Sequence, residues 1–462
     1  MRDAWLREGA SVDPSADNGS AGEHRARWLA PRSTHAHRRW HAALIAVATF
    51  SATVVGLALL LNLTLGDKQV DASVRGVYAV GDPQFARSMD ALLGGPVVPG
   101  NRVEALVNGE HIFPAMLDAI RGARQSITFE TYIYWSGTIG AEFAEAFMER
   151  ARAGVRVHVL IDWWGGEDIQ ERYRARMEAA GVHLEIYNPL RLAALGRMNN
   201  RTHHKLLVVD GSTGFTGGVG IADSWRGHAQ DPDHWRDTHF RVTGPVVSQL
   251  QSAFMDNWIA VTGEVLHGPA YFPALEAVGT QAAQVFTSAP GGGAESAQLL
   301  YLMSIAAART SIRLSMAYFV PDDLAVRELV AARRRGVRVE ILLPGEHTDR
   351  PFVQRASRAT WGPLLQAGVE IHRYQPTMYH CKVLIVDSAW TSVGSTNFDN
   401  RSFSVNDEAN VNVLDARFAA AQVRLFEEDL ARSRQVSLEE WERRQVSDKL
   451  LDALAGLFRS QL

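Results

Sequence analysis

The chain has 462 residues, 46% of them apolar and 21% charged, which fits a globular protein of two domains plus an extension. A formal net charge of −4 leaves no basic excess and argues against a dedicated nucleic-acid binder. Cys381 is the single cysteine, which excludes an intrachain disulfide and a thiolate metal cluster.

Residues 1–40 are polar, with Gly, Ser, Pro and Arg prominent, and are expected to be disordered. From Ala42 to Leu65 no residue is charged. Roughly 20 such residues at about 1.5 Å each span a hydrocarbon core, so 42–65 is predicted as one transmembrane helix. A secretory signal would lie nearer the N-terminus and carry a shorter apolar region. Arg25, Arg27, Arg32, Arg38 and Arg39 precede the span, while only Lys68 and Arg75 follow closely. The positive-inside bias puts the N-terminus in the cytoplasm and everything after Asp67 on the outer face.

Residues 66–100 read as a connector with some helix, and two α/β halves follow at 101–280 and 281–415. Ser288-Ala289-Pro290-Gly291-Gly292-Gly293, near the start of the second half, reads as loop. The segment 416–462 is predicted helical and ends in Leu450, Leu451, Leu454, Leu457 and Phe458. Those apolar positions at helical spacing are expected to pack on the domain, with docking on a membrane surface as the alternative.

The two halves repeat one another. His203-His204-Lys205-Leu-Leu-Val-Val-Asp210 returns as His380-Cys381-Lys382-Val-Leu-Ile-Val-Asp387. Both read H-x-K-x-x-x-x-D, and both continue at one offset into a turn of small residues, Gly217-Gly218-Val219-Gly220 and Gly394-Ser395-Thr396-Asn397. Upstream, Ala123-Arg124-Gln125-Ser126-Ile127 matches Ala308-Arg309-Thr310-Ser311-Ile312, and Gly154-Val155-Arg156-Val157 matches Gly336-Val337-Arg338-Val339. Each half reads strand, helix, strand, crossover, then the H-x-K strand, which predicts α/β units around a mostly parallel sheet with pseudo-two-fold symmetry. The apolar runs Leu206–Val209 and Val383–Val386 suit strands buried on both faces.

In a strand, residues i and i+2 share a face. His203 and Lys205 therefore point one way, as do His380 and Lys382, while His204 and Cys381 point the other. Two imidazoles and two ammonium groups converging on one pocket suit a phosphodiester. The lysines neutralise charge on the non-bridging oxygens. One histidine can attack phosphorus to form a phosphohistidine, and the other can protonate the leaving alkoxide and then deprotonate the acceptor. An attacking histidine needs its second ring nitrogen held by an acceptor. Asp237 and Glu408, downstream of the two copies, are the candidate orienting carboxylates, and Ser395 and Asn397 can donate to phosphate oxygens. Asp210 and Asp387 complete the candidate catalytic set; each closes its strand before a turn, which suits a structural role as well as contact with substrate. His158, His239 and His372 read as structural. Metal binding by His203, His204 and Asp210 conflicts with the paired lysines, so no metal or other cofactor is expected.

The doubled phrase resembles that of the phospholipase D superfamily over residues 100 to 430. Val107-Asn108-Gly109-Glu110, Phe129-Glu130-Thr131-Tyr132-Ile133-Tyr134, Tyr318-Phe319-Val320-Pro321-Asp322 and Asn397-Phe398-Asp399-Asn400-Arg401-Ser402 are similar to its bacterial cardiolipin synthase branch. The resemblance implies His203 as nucleophile and His380 as general acid/base. It makes Lys205, Lys382 and Asn397 phosphate binders, and has Asp237 and Glu408 orient the histidines. It implies a bacterial inner-membrane phosphatidyl transferase that exchanges phosphatidylglycerol head groups to give cardiolipin and glycerol, without metal or nucleotide. Gly220 departs from it, standing where the first repeat often carries Asn. A hydrolytic phospholipase D uses the same residues with water as acceptor, and a nuclease of the superfamily fits the charge and the predicted anchor less well. The internal duplication lets a monomer complete one active site.

Overall fold

The structure is a computed structural model that describes residues 34–64, 70, 72–189, 199–289 and 297–462. Most of the predicted disordered segment and the centre of the 288–293 loop lie outside these residues. The chain divides into two units, Met1–Thr64 and Leu65–Leu462. In the first, a single helix runs over Thr34–Thr64, so helix begins before the predicted span and covers nearly all of it. Among the described residues, no helix is long and apolar enough to cross a membrane.

The second unit is built on one sheet. Its first-half strands are β1 (Val98–Val107), β2 (Ser126–Thr131), β3 (Arg156–Asp162), β4 (His183–Tyr187), the short β5 (Arg201–Thr202), β6 (Lys205–Val209), β7 (Thr213–Gly217) and β8 (Thr238–Thr243). Those of the second half are β9 (Gln281–Ser288), β10 (Ser311–Met316), the short β11 (Phe319–Val320), β12 (Arg338–Pro344), β13 (Glu370–Tyr374), β14 (Lys382–Val386), β15 (Trp390–Gly394), the short β16 (Phe398–Asp399) and β17 (Asn406–Leu414), with β18 (Ser433–Val436) added at one edge.

The strand order is β18-β13-β12-β10-β14-β15-β17-β9-β1-β8-β7-β6-β2-β3-β4. Read outward from the β9–β1 seam, the two sides match strand for strand, and the seam pair is antiparallel. That palindrome is the pseudo-two-fold symmetry the repeat predicted. The sheet is not mostly parallel, however. Parallel pairing is found in β2-β3-β4 and β10-β12-β13 at the outer part of each half, and in the short pairs β5–β17 and β11–β16. The tight turns Asp210–Ser212 and Asp387–Ala389 force β7 and β15 to run antiparallel to β6 and β14, because strands joined by so short a loop can pair in no other sense.

Both H-x-K strands are buried on both faces, as their apolar runs require. In β6, Leu206 and Val208 face one core while Leu207 and Val209 face another. The core on the first of these faces holds Val208, Phe240 and Trp258 from one half together with Tyr379, Val383 and Phe418 from the other. Helices Val247–Thr262 and Ala416–Leu430 cover it. The shared core welds the repeats into one body and fixes the N-terminal ends of β6 and β14 against the seam.

Candidate active site

The H-x-K phrase starts just before β6 and again just before β14. Each histidine is placed by a backbone bond to the opposite half. The His203 amide donates to the Asp407 carbonyl at 2.9 Å, and the His380 amide donates to the Arg236 carbonyl at 2.8 Å. Asp407 and Arg236 hold equivalent places, each one residue before an orienting carboxylate. The side chains repeat the exchange. His203 Nδ1 lies 2.9 Å from both Glu408 carboxylate oxygens, and His380 Nδ1 lies 2.8 Å from Asp237 Oδ2. Each repeat therefore orients the histidine of its twin.

With Nδ1–H donated to a carboxylate, the lone pair is left on Nε2, the tautomer an attacking imidazole needs. Both pairs are fully buried at the carboxylate. Burial pushes the His203 imidazole down to about 4, with Lys205 and Lys382 adding to the fall and Glu408 opposing it. His380 is likewise lowered by burial and by Lys382. Burial disfavours charge on Asp237 and Glu408 too, but the hydrogen bonds and positive charges of the histidine–lysine pairs outweigh it and hold both below the usual carboxylate range. The His203–Glu408 pair is a carboxylate accepting from a neutral ring.

Lys205 Nζ donates to the His203 carbonyl at 2.9 Å and Lys382 Nζ to the His380 carbonyl at 2.8 Å. An ammonium has three protons, so each keeps donors for a substrate. Burial pushes Lys205 down to about 7, and the charge of Lys382 adds to the shift. Lys382 acts on His203 as well as on Lys205, which ties the two halves to one pocket. Aromatic rings wall it. Tyr132 stands edge-on to His203 at 5.5 Å between ring centroids, and Trp225 and Trp235 lie 5.2 and 5.4 Å from His380.

His204 and Cys381 point away from this pocket, as the strand geometry requires. His204 Nδ1 meets Glu130 at 3.1 Å in a buried cluster with Asn257, and Cys381 Sγ contacts the Thr238 hydroxyl at 3.7 Å. His158 sits in the core with Nε2 at 2.8 Å from the Tyr271 hydroxyl, while His239 is buried beside Gly217.

Three of the candidate residues are engaged within the protein. Asp210 accepts from the Arg124, Gln125 and Ser126 amides, and Asp387 accepts from the Arg309, Thr310 and Ser311 amides. They clamp the entry to β2 and β10, and five residues of strand put them roughly 17 Å along the chain from Lys205 and Lys382. Both carboxylates are engaged by backbone amides, which fits the structural role expected beside the catalytic one. Ser395 was expected on the phosphate, but its hydroxyl donates to Glu408 Oε2 at 2.5 Å. Asn397 is buried in the same turn, and its side-chain oxygen has no partner among the described residues; the group able to meet a phosphate oxygen is its Nδ2 donor.

The asymmetry of the two turns is steric. Gly218 occupies the place of Ser395, and a Cβ there would lie 2.3 Å from Asp237 Oδ1. The short aspartate reaches back into the space that the glycine leaves, and Trp225 Nε1 donates to it at 3.0 Å. In the other half the longer glutamate is met by Ser395, by the Ser402 hydroxyl at 2.8 Å and by Asn406 Nδ2 at 3.2 Å. Gly220 stands where the second half has Asn397; a Cβ would come 2.8 Å from Ile133, which leaves no room for asparagine. Ser402 could have been found from the Asn397–Ser402 run, which repeats nowhere else in the chain. Nothing in the sequence marks Trp225.

The comparisons agree with this geometry. The family model described as cardiolipin synthase, PLD-like domain, matches residues 116–254 and 301–430. The chain is 33% identical to cardiolipin synthase 2 of Bacillus anthracis over 75% of its own length and 68% of the relative's. It is 35% identical to a probable cardiolipin synthase, YwiE, of Bacillus subtilis (strain 168) over 78% of its length and 72% of the relative's. The fold is similar to that of a phosphatidylserine synthase from Haemophilus influenzae Rd KW20, with a TM-score of 0.62 over 81% of this chain and 99% of the other at 14% identity. On its matched repeats and on the length shared with these relatives, the chain belongs to the cardiolipin synthase family of phospholipase D-like proteins.

Proposed function

We propose that this enzyme, a phospholipase D-type phosphatidyltransferase, joins two phosphatidylglycerol molecules into cardiolipin through a phosphohistidine. The observation that carries the reading is the crossed arrangement of two histidines, each fixed at Nδ1 by a carboxylate of the other repeat.

In the first half-reaction His203 Nε2 attacks phosphorus. The bond from phosphorus to the glycerol head group breaks, and His380, which enters this step as the imidazolium with a second proton on Nε2, gives that proton to the departing oxygen. In the second, a hydroxyl of another phosphatidylglycerol enters, and His380 takes its proton. The hydroxyl oxygen displaces His203 from phosphorus, releasing cardiolipin and a free enzyme. Glycerol is the only by-product. Lys205, Lys382 and the Asn397 amide hold the non-bridging oxygens, where charge builds in each transition state. One chain supplies both histidines, so a monomer suffices for turnover.

The 42–65 run is proposed as a single membrane span. Its helix runs to Thr64, and the sequence from Leu57 to Leu65 is uncharged, with Asn62 and Thr64 as its polar residues. The arginines ahead of it place the N-terminus in the cytoplasm and the catalytic unit on the outer face.

The test is lipid mass spectrometry after incubating the purified chain with phosphatidylglycerol vesicles, beside a His203→Ala control. Cardiolipin formed only by the unmodified chain supports the proposal. Phosphatidic acid without cardiolipin would replace it with hydrolysis.

A further inference from the structure

The C-terminal helix Val446–Gly456 is built inside out. A helix resting on a soluble protein normally turns its apolar stripe inward and its charges to water. Here the buried positions are Asp452 and Ala455. Asp452 lies 2.8 Å from Arg358, 3.6 Å from Arg355 and 3.4 Å from Arg444, so ion pairs hold the helix to its neighbour Pro351–Gln366. The opposite stripe, Val446, Leu450, Leu454 and Leu457, is exposed, Leu450 by 60% and Leu457 by 76%. Phe458 and Phe352, both exposed, extend the stripe with ring centroids 5.9 Å apart.

This face adjoins the mouth of the active site by two routes. Tyr318, whose ring stands edge-on to His380, donates its hydroxyl to Asp349 at 2.5 Å. Phe352 follows three residues later, within roughly 11 Å along the chain. At the other end, the Arg401 amide donates to the Leu462 carbonyl at 2.8 Å, and Asn400 Nδ2 donates to the Arg459 carbonyl at 3.0 Å. Asn400 and Arg401 lie three and four residues past Asn397. Between the site and the apolar face stands the exposed Arg350, near enough to Tyr318 and Tyr132 for its charge to act on both hydroxyls.

We infer that this face rests on the surface of a phospholipid bilayer, with Leu450, Leu454, Leu457, Phe458 and Phe352 entering the acyl boundary and Arg350 meeting anionic head groups. Such a contact would let a lipid pass from the bilayer to His203 without crossing water. The inference rests on the phospholipid reading of the site, since only an enzyme drawing its substrate from a bilayer needs an apolar face beside its mouth. Ion pairs clamp the helix with its apolar side outward, which matches an interfacial helix and no part of a water-facing surface.

The experiment uses the full chain in vesicles of phosphatidylcholine and phosphatidylglycerol. Cys381 is the only native cysteine and is buried, so a Leu454→Cys variant takes an environment-sensitive fluorophore at one place. A Glu439→Cys variant, labelled on the exposed helix Leu438–Glu442, is the control. Nitroxide-bearing lipids should quench the probe at 454 at least twofold, on the order expected for a side chain at the acyl boundary, and leave the probe at 439 unchanged. A probe at 454 that stays as accessible to water as the control would overturn the inference. So would one that is shielded yet indifferent to nitroxide lipid, because a second copy of the chain would then cover the face. Kinetically, the Leu450→Glu/Leu454→Glu pair should slow turnover of vesicle lipid about tenfold and leave turnover of short-chain, monomeric phosphatidylglycerol unchanged. Equal loss on both substrates would reject it. An unmodified chain inactive on every phospholipid would refute the functional reading instead, and the quenching result would still decide the contact.

Discussion

Glu408 belongs to the second repeat, yet both of its carboxylate oxygens lie 2.9 Å from Nδ1 of His203 in the first. Removing its charge leaves the ring free to take the wrong tautomer. Glu408→Gln should therefore lower kcat by about 10³-fold or more while KM stays near its original value. Stopped-flow trapping of phosphoenzyme should show the loss in formation of the intermediate. A variant within threefold of the original kcat would remove Glu408 from the mechanism.

Gly218→Ala tests the other pair without touching a charge. The added methyl would sit 2.3 Å from Asp237 Oδ1 and 2.6 Å from Oδ2, so the carboxylate must move away from His380. A misplacement of this size is expected to cost about 10²-fold in kcat. Retained activity in a folded Gly218→Ala protein would mean that Asp237 does not need its present position.

The pH profile follows from three lowered groups. His203 attacks as the neutral ring, and its pKa is pushed to about 4, so kcat/KM should fall only on the strongly acid side. His380 must hold its acid proton and Lys205 its ammonium charge; burial lowers the first and pushes the second to about 7, so the same constant should fall as pH rises toward and past neutrality. A bound phosphate favours the ammonium, which should carry the alkaline limb of kcat higher than that of kcat/KM. A kcat/KM flat up to pH 9 would contradict the assignment.

Asp210→Ala and Asp387→Ala separate structure from catalysis. Each leaves three backbone amides without their acceptor, for a stability loss of about 1–3 kcal/mol or more. Chemical denaturation should register that loss, while the folded fraction keeps nearly the original specific activity. Loss of activity at full stability would return these aspartates to the catalytic set.

Beneath the site, the buried His204–Glu130 pair braces the segment that carries His203. The imidazole is raised to about 9: burial lowers it, but the charge and hydrogen bond of Glu130 more than compensate. A folded pKa above the unfolded value near 6.5 gives stabilisation that is complete below about 6.5 and is lost as pH rises through 9. Glu130→Gln should destabilise by about 3–5 kcal/mol at pH 6, and the gap between the two proteins should narrow by pH 10. A gap that does not change with pH would deny the charge on His204.

The doubled phrase carried most of the site, because strand alternation and two shared offsets leave little freedom in where His203, Lys205, His380 and Lys382 point. What it could not carry was the exchange of partners. Glu408 lies 205 residues from His203, and a repeat with two equivalent carboxylates reads the same whether each stays at home or crosses. Ser395 was misassigned for a related reason: a turn serine beside a phosphate pocket and one beside a buried carboxylate have the same local sequence. The expectation of a mostly parallel sheet failed at the hairpins after Asp210 and Asp387, where three-residue turns admit only antiparallel pairing. The C-terminal leucines had the spacing of a packing face. Only the ion pairs of Asp452 reveal that the opposite face packs.

The crossed carboxylates also set a clock on biosynthesis. His203 leaves the ribosome 205 residues ahead of Glu408, and in that interval no residue holds its ring for attack. Under the proposed mechanism an unfinished chain carries His203 without the carboxylate that orients it, and a stop before β17 removes that carboxylate altogether.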